Sequence, residues 1–448
     1  MTLSEGQQEC FNKYLNNENI FITGPGGSGK SFLIREIVNH AKDNAKKIKI
    51  CALTGCAAIL LQCGATTLHA FSGIGLATNN IDNIIHDLFT KKKHKLKNWH
   101  NLDILIVDEV SMMSLKIFIL LDKIARLVFK KPDIPFGGLQ VIFTGDFYQL
   151  SPVNNDDKDK EAGMFCFQNH LWDNVFKKEN QIVLTTIFRQ NDDMLLKILK
   201  YIRKGQITPK TKEALEKRIF SKNEIIELKK NKILTIMSPI KKDVEKINTL
   251  EYDNLDSKDG EYIYNIKYIN NSKDNDINEE MFNLYLKSNT YLKSDYDFLA
   301  NNIMGEKVIK LKVGTHVMCI INLVMEGENQ IANGCQGVIV GFENGLPLVL
   351  FNNIEKPILI GYYTWNSETN KKVSVAQIPL IYAWAITIHK AQGVTLDNAI
   401  IDIGSNIFAD GQTYVALSRV KTLDGIYLTS FDYKKIKCNS LVRQFYGD

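Results

Sequence analysis

The stretch Gly24-Pro25-Gly26-Gly27-Ser28-Gly29-Lys30-Ser31 carries the residue types and spacing of a phosphate cradle, G-x-x-x-x-G-K-[ST]. Glycines let consecutive backbone N–H groups turn inward around phosphate oxygens. Lys30 has the reach for β- and γ-phosphates, and the Ser31 hydroxyl is a ligand type for Mg2+. The apolar run 19–23 reads as a buried strand leading into the loop. After Phe32, residues Leu33, Ile34, Ile37, Val38 and Ala41 recur at helical spacing, so the loop opens a helix, where amides and dipole both favour anions. Nucleotide binding is the expectation. The loop alone is silent on what the nucleotide is used for.

Other residues have the chemistry to complete such a site. Asp108-Glu109 ends the apolar run 104–107; an Asp there suits Mg2+ and a Glu suits an attacking water. Gln149, in Gly145-Asp146-Phe147-Tyr148-Gln149-Leu150, follows another apolar run and could bond a γ-phosphate or that water; an ordinary turn is the other reading. Arg189 and Arg419 have the charge to stabilise a phosphoryl transition state from a second domain. Thr387, His389 and Lys390, before Gly393, stand at a strand-to-helix turn and suit phosphate contacts on a nucleic-acid backbone. His69 and Phe71 offer a polar group and a stacking ring; a core Phe beside a hydrogen-bonded His fits equally well.

The elements that must position these groups are legible as alternation. Candidate strands at 20–23, 48–53, 104–107 and 141–144 are short, apolar and separated by helical segments, the pattern of a parallel sheet with crossover helices. A second set is expected at 183–185, 234–237, 378–382, 399–403 and 426–429. Two α/β domains result, the first ending near Arg189. Three stretches break the rhythm. Residues 77–101 are polar and hold Lys91-Lys92-Lys93-His94-Lys95-Leu96-Lys97, either a solvated face or a phosphate contact. Residues 253–297 are rich in Asn, Asp, Lys and Tyr and read as a partly mobile surface insertion. Residues 313–375 carry short glycine-punctuated β-runs and read as a small inserted barrel.

At 448 residues, the chain has room for two or three domains with ample core. A net charge of +5 is too mild to prove a nucleic-acid partner. The eight cysteines form no C-x-x-C pair and no zinc-spaced cluster, which fits small core residues in a reducing compartment. No secretory signal, transit peptide or apolar run of membrane-spanning length is present, so an intracellular protein without a membrane partner is expected. The Asn/Lys/Ile-rich composition suits an AT-rich genome, a viral one included.

In this order the segments resemble the petite-integration-frequency (Pif) family of superfamily 1B DNA helicases, more distantly the RecD helicases, over almost the whole chain. Leu3-Ser4-Glu5-Gly6-Gln7 is similar to the family's Q motif, whose glutamine recognises adenine. Thr54-Gly55-Cys56-Ala57-Ala58 and the segment from Leu68 to Gly75 resemble early DNA-contacting motifs, and Asp108-Glu109-Val110-Ser111-Met112 resembles the Mg2+ motif. Pro135-Phe136-Gly137-Gly138-Leu139-Gln140, with Gly145–Leu150, is the most family-specific element. Phe188-Arg189-Gln190 resembles the motif of the first arginine finger, and 385–397 and 414–420 resemble the last two motifs. Leu53, Ser151 and Ala391 depart from residues common in the family; none removes a charged catalytic group.

The resemblance implies two RecA-like domains with parallel sheets, the first at 1–190 with a wedge-like insertion at about 77–101, the second at 191–312 and 376–448, and an SH3-like insertion at 313–375. It implies a monomeric motor core, with almost nothing before Leu3, that moves 5′ to 3′ on single-stranded DNA and unwinds forked or tailed duplex with ATP and Mg2+. Gln7, Gly24–Phe32, Gln149, Arg189, Gly393 and Arg419 would surround ATP, and Ser31 and Asp108 would hold the metal. Lys30, Glu109, Gln149, Arg189 and Arg419 would carry catalysis. Thr54, His69, Phe71, Phe136, Thr387, His389 and Lys390 would grip DNA. Rival readings are an RNA helicase, a translocase that does not unwind, and a nucleotide-gated binding module.

Overall fold

The structure, a computed structural model, describes residues 3–75, 77–152, 159–256, 258, 260–271, 290–303, 305–324, 330–331, 333–352, 354–367, 370 and 372–448. Much of the insertion expected at 253–297 therefore lies outside the described residues.

Six parallel strands form the first sheet: β1 (Ile20–Thr23), β2 (Ile48–Ala52), β3 (Thr66–Thr67), β4 (Ile104–Asp108), β5 (Gln140–Gly145) and β6 (Gln181–Val183), in the order β3-β2-β4-β5-β1-β6. Alternate residues leave opposite faces. Phe21, Cys51, Leu105, Val107, Val141 and Phe143 enter one core, while Ile20, Ile22, Ile50, Ile104, Ile106 and Ile142 enter the other. Burial on both faces is why these strands read as continuous apolar runs.

The second sheet has four parallel strands, in the order Ala385–Thr387, Thr235–Ser238, Ala399–Ile403, Ile426–Phe431. Two expected members belong elsewhere. The strand foreseen at 183–185 lies at 181–183 and pairs in parallel with β1. The strand foreseen at 378–382 is Leu380–Tyr382, which pairs antiparallel with His316–Cys319. Both are apolar and short, and periodicity cannot say which sheet a short strand joins.

The β-rich region is an open five-stranded antiparallel sheet (Ile358–Leu359, Leu346–Phe351, Gln336–Glu343, His316–Cys319, Leu380–Tyr382), beside a three-stranded sheet that includes Lys267–Asn270. It recruits strands from both sides of 313–375. Its Val317, Ile339 and Leu380 share one core with Met237, Ile401 and Leu428 of the second parallel sheet, so it is fused to that sheet.

Residues 77–101 form a helix (Ile81–Thr90) and a 3-10 turn (Lys93–Asn98). Leu88, Leu96 and Trp99 point inward, and Trp99 meets Phe71 at 4.7 Å between ring centroids. Lys91, Lys92, Lys93 and Lys97 remain exposed. The C-terminal helix, Ser440–Tyr446, returns to the first sheet, where Phe445 packs on Phe21 and Phe147. Among the described residues no helix is long and apolar enough to cross a membrane.

Candidate active site

Parallel registry brings the chemistry to one edge. Thr23 pairs with Gly145 and Ala52 with Asp108, so the segments beginning at Gly24, Asp146, Thr54 and Glu109 all leave from the carboxyl ends of neighbouring strands. They meet parts of the second sheet across a cleft of about 610 Å3, lined by Gly26 to Phe32, Thr54, Asp108, Glu109, Gln149, Arg189, His389, Gly393 and Arg419.

The loop needs its glycines. Gly27 has φ +85°, and a Cβ there would lie 2.5 Å from Cβ of Arg189. Gly29 has φ +82°, and a Cβ would lie 2.5 Å from Nε2 of Gln7. L-residues are disfavoured at such φ even where there is room. Gly29 also caps the helix Lys30–Asp43, aiming that helix's free amides at the cleft. Lys30 Nζ donates to the carbonyls of Gly24 (2.7 Å) and Pro25 (3.1 Å). Burial lowers the Lys30 pKa, against the opposing carboxylates of Asp146, Glu109 and Asp108. Ser28 Oγ is buried with no hydrogen-bond partner among the described residues. A folded-back ammonium, an orphaned hydroxyl and unpaired helix amides are together the donor set of a phosphate site.

Asp108 and Glu109 stand at the adjoining strand end. Asp108 is buried, accepting from the Thr144 hydroxyl and from the Glu109 amide (2.9 Å). Burial raises its pKa despite those donors. Asp108 and Ser31 line the same cleft, and a dehydrated carboxylate with a hydroxyl is a fitting donor pair for a hard divalent cation. Glu109 has a left-handed backbone (φ 57°, ψ 41°), uncommon for this residue type. Burial, then the Asp108 charge, pushes its carboxyl up to about 7, where it can accept a proton at neutral pH.

Cations reach the loop from both sides, Arg189 from the segment after β6 and Arg419 from the opposite wall. At Gly26, a Cβ would lie 3.1 Å from an Arg419 guanidinium nitrogen and 3.3 Å from one of Arg189. Arg419 is 2% exposed and donates to Val415 O (3.0 Å) and Ser418 Oγ (2.8 Å); Arg189 donates to Ser418 O (3.3 Å). Among the described residues neither has a carboxylate in an ion pair. Burial lowers the pKa of both, that of Arg189 to about 9 with help from Arg419. Two dehydrated, mutually repelling guanidiniums over a phosphate loop form a site complementary to a polyanion.

Not every expected group faces this cleft. Gln7 is buried behind the loop; its Oε1 accepts the Ser4 amide (2.9 Å) and its Nε2 donates to Gly29 O (3.2 Å), so it braces the loop rather than lining the cleft. Phe71 and Phe136 are fully buried, Phe71 on Trp99 and Phe136 on Phe118 and Phe143, so neither ring is open to a base. Both occur in loop-like sequence, where the aromatic partners that bury them come from distant segments. Thr387 is buried and caps its turn by accepting the Lys390 amide (3.1 Å), while Lys390 Nζ pairs with Glu306 at 3.4 Å. His69 is partly buried, and burial lowers its pKa.

Sequence reasoning passed over several groups. The Tyr414 hydroxyl accepts the Gly26 amide (2.9 Å), and Gln392 Nε2 donates to Glu109 Oε2 (3.0 Å). Phe188 is 60% exposed beside Gly29. Arg203 binds Asp146 through two nitrogens (2.8 and 3.0 Å). A second cavity of about 490 Å3 adjoins the cleft, with Gly55, Thr66 and Thr67 on one side and Phe298, Tyr363 and Trp365 on the other. The aromatic run at 362–365 was the available signal.

A family profile described as PIF1-like helicase matches residues 2–213. "ATP-dependent DNA helicase PIF1" of Danio rerio is 32% identical over 450 residues, covering 99% of this chain and 63% of that protein. The chain thus spans about 63% of the length of that relative. "Uncharacterized protein 030L" of Invertebrate iridescent virus 6 is 30% identical over 517 residues, covering 100% of this chain and 94% of that one. Among solved structures, a Pif1 helicase from Bacteroides in complex with ADP-AlF3 and ssDNA matches with a TM-score of 0.61 at 28% identity, covering 100% of this chain and 97% of that one.

Proposed function

We propose that this chain, which belongs to the PIF1-like helicase family, is an ATP-dependent DNA helicase that tracks 5′ to 3′ along single-stranded DNA and opens forked or tailed duplex. The observation that carries the reading is the convergence of Arg189 and Arg419 on Gly26 of the loop. A site divided between two α/β sheets closes around its nucleotide and opens after hydrolysis, which moves one sheet against the other. We read 1–190 and 191–312 with 376–448 as the two lobes, and 313–375 as an insertion in the second.

In this reading the loop amides and Lys30 hold the phosphates, Lys30 leaving the Gly24 and Pro25 carbonyls to do so. Ser31 and Asp108 are the residues that would hold Mg2+, which neutralises phosphate charge when bound. Glu109 orients an attacking water and takes its proton. Gln149 bonds the terminal phosphate, and Arg189 and Arg419 stabilise the charge that grows on it. Gln7 acts by holding Gly29. The strand runs along the second cavity, its bases against Tyr363 and Phe298, its phosphates near Thr54, Thr66 and Thr67, then on to His389 and Lys390. The exposed lysines at 91–97 meet phosphates at the fork. Grip of this kind weakens as salt rises. DNA as substrate puts the work inside a cell, and the viral relative makes an infected cell one such setting.

Strand displacement on duplexes with a 5′ or a 3′ tail tests the reading. Unwinding is expected only from the 5′ tail and only with ATP, and Lys30→Ala should abolish it with the far-ultraviolet circular dichroism unchanged. ATP turnover insensitive to single-stranded DNA, or unwinding by Lys30→Ala, would overturn it.

A further inference from the structure

Gln392 touches the candidate base from the far side of the cleft. Its Nε2 donates to Glu109 Oε2 at 3.0 Å, a contact between the second sheet's end and the first's. The turn that carries it is internally tied: Ala391 N donates to Thr387 O (2.9 Å), Gln392 N to His389 O (3.1 Å), and Lys390 N to Thr387 Oγ1 (3.1 Å). Gly393, with φ +83°, then lies so close to Leu60 that a Cβ would come within 2.6 Å of Cδ1.

The same turn presents His389 and Lys390. His389 is exposed at the cleft. Among the described residues, Lys390 Nζ pairs with Glu306 alone, at 3.4 Å between half-exposed groups. A surface pair of this kind contributes little, and a phosphate can replace the carboxylate. Anything that draws Lys390 off Glu306 therefore acts on the turn, and through it on the Gln392 side chain.

We propose that Gln392 is a positioning residue that reports strand occupancy to Glu109. With no strand on the turn, Gln392 holds the Glu109 carboxylate and fixes its direction. A phosphate on Lys390 shifts the turn and releases or re-aims the carboxylate for its water. The inference rests on the functional reading above, in which Glu109 is the base and the turn faces DNA.

A split between kcat and KM separates this role from a merely structural one. ATP turnover should be measured with and without oligo-dT, as kcat and as KM for ATP, for the wild type, Gln392→Ala and Gln392→Glu. Both variants lose the amide donor that holds Glu109 Oε2. Stimulation of kcat by oligo-dT should fall several-fold in both, with KM for ATP little changed. A wild type without DNA-stimulated turnover would overturn the functional reading and this inference with it. A stimulated wild type, with the stimulation of kcat unmoved in both variants, would overturn the inference alone.

Discussion

The hydroxyl of Tyr414 accepts the amide proton of Gly26 at 2.9 Å, joining the phosphate loop to the helix Gln412–Leu417 of the opposite wall. The contact occupies a loop amide of the kind a phosphate oxygen needs.

Tyr414→Phe frees that amide and leaves the buried ring in place. ADP binding should tighten up to about fivefold, the worth of one modest hydrogen bond. Titration with a fluorescent ADP analogue reads the change, and unchanged or weaker binding would show that the contact does not compete with nucleotide.

Glu109, with its carboxyl pushed up to about 7, should give turnover that falls as pH drops through neutrality. Glu109→Gln should bind ATP and oligo-dT but hydrolyse at least about a hundredfold more slowly. Stability has the opposite sign. A carboxyl whose folded pKa lies above its unfolded value contributes most at low pH, and that contribution is lost as pH rises through about 7. Glu109→Gln should therefore raise Tm at pH 8 more than at pH 5, as calorimetry can show.

Arg419→Ala removes charge from over the loop. Turnover should fall about a thousandfold or more, as for other arginines that stabilise transferring phosphoryl groups, with nucleotide affinity changed far less. Arg189→Ala should show the same split in milder form, since this guanidinium is less enclosed. Comparing kcat with the Kd of an ATP analogue tests both; loss of affinity with kcat retained would assign the arginines to binding alone.

Arg203 and Asp146 form the buried ion pair behind the cleft, with Asp146 wholly enclosed. Arg203→Ala strands that carboxylate and should cost about 3–5 kcal/mol in urea unfolding. Adding Asp146→Asn should recover part of the loss, because the stranded charge is gone.

How much was legible follows from what each signal depends on. The loop, β1, β4 and Asp108-Glu109 were readable because spacing and apolar runs are local properties. Phe71 and Phe136 are buried where the resemblance implied a DNA contact, because Trp99 and Phe118, their covers, come from segments whose packing no local pattern announces. The strand Leu380–Tyr382 was given to the wrong sheet for the same reason. Gln392 was invisible because a glutamine in a turn has no signature; only registry across the cleft brings it to Glu109.

The return of Ser440–Tyr446 has a consequence for translation. Tyr446 shares a hydrogen bond with Thr23 at 2.6 Å, and its ring stacks on Tyr148 at 4.8 Å. Thr23 directly precedes the phosphate loop, and Phe445 closes the core above Phe21. A helix of seven residues has little stability alone and forms where that core receives it. While the chain is still on the ribosome, the strand beneath the loop thus lacks one of its buttresses and exposes aromatic surface. The first sheet's core is then closed only when elongation delivers residues 440–446.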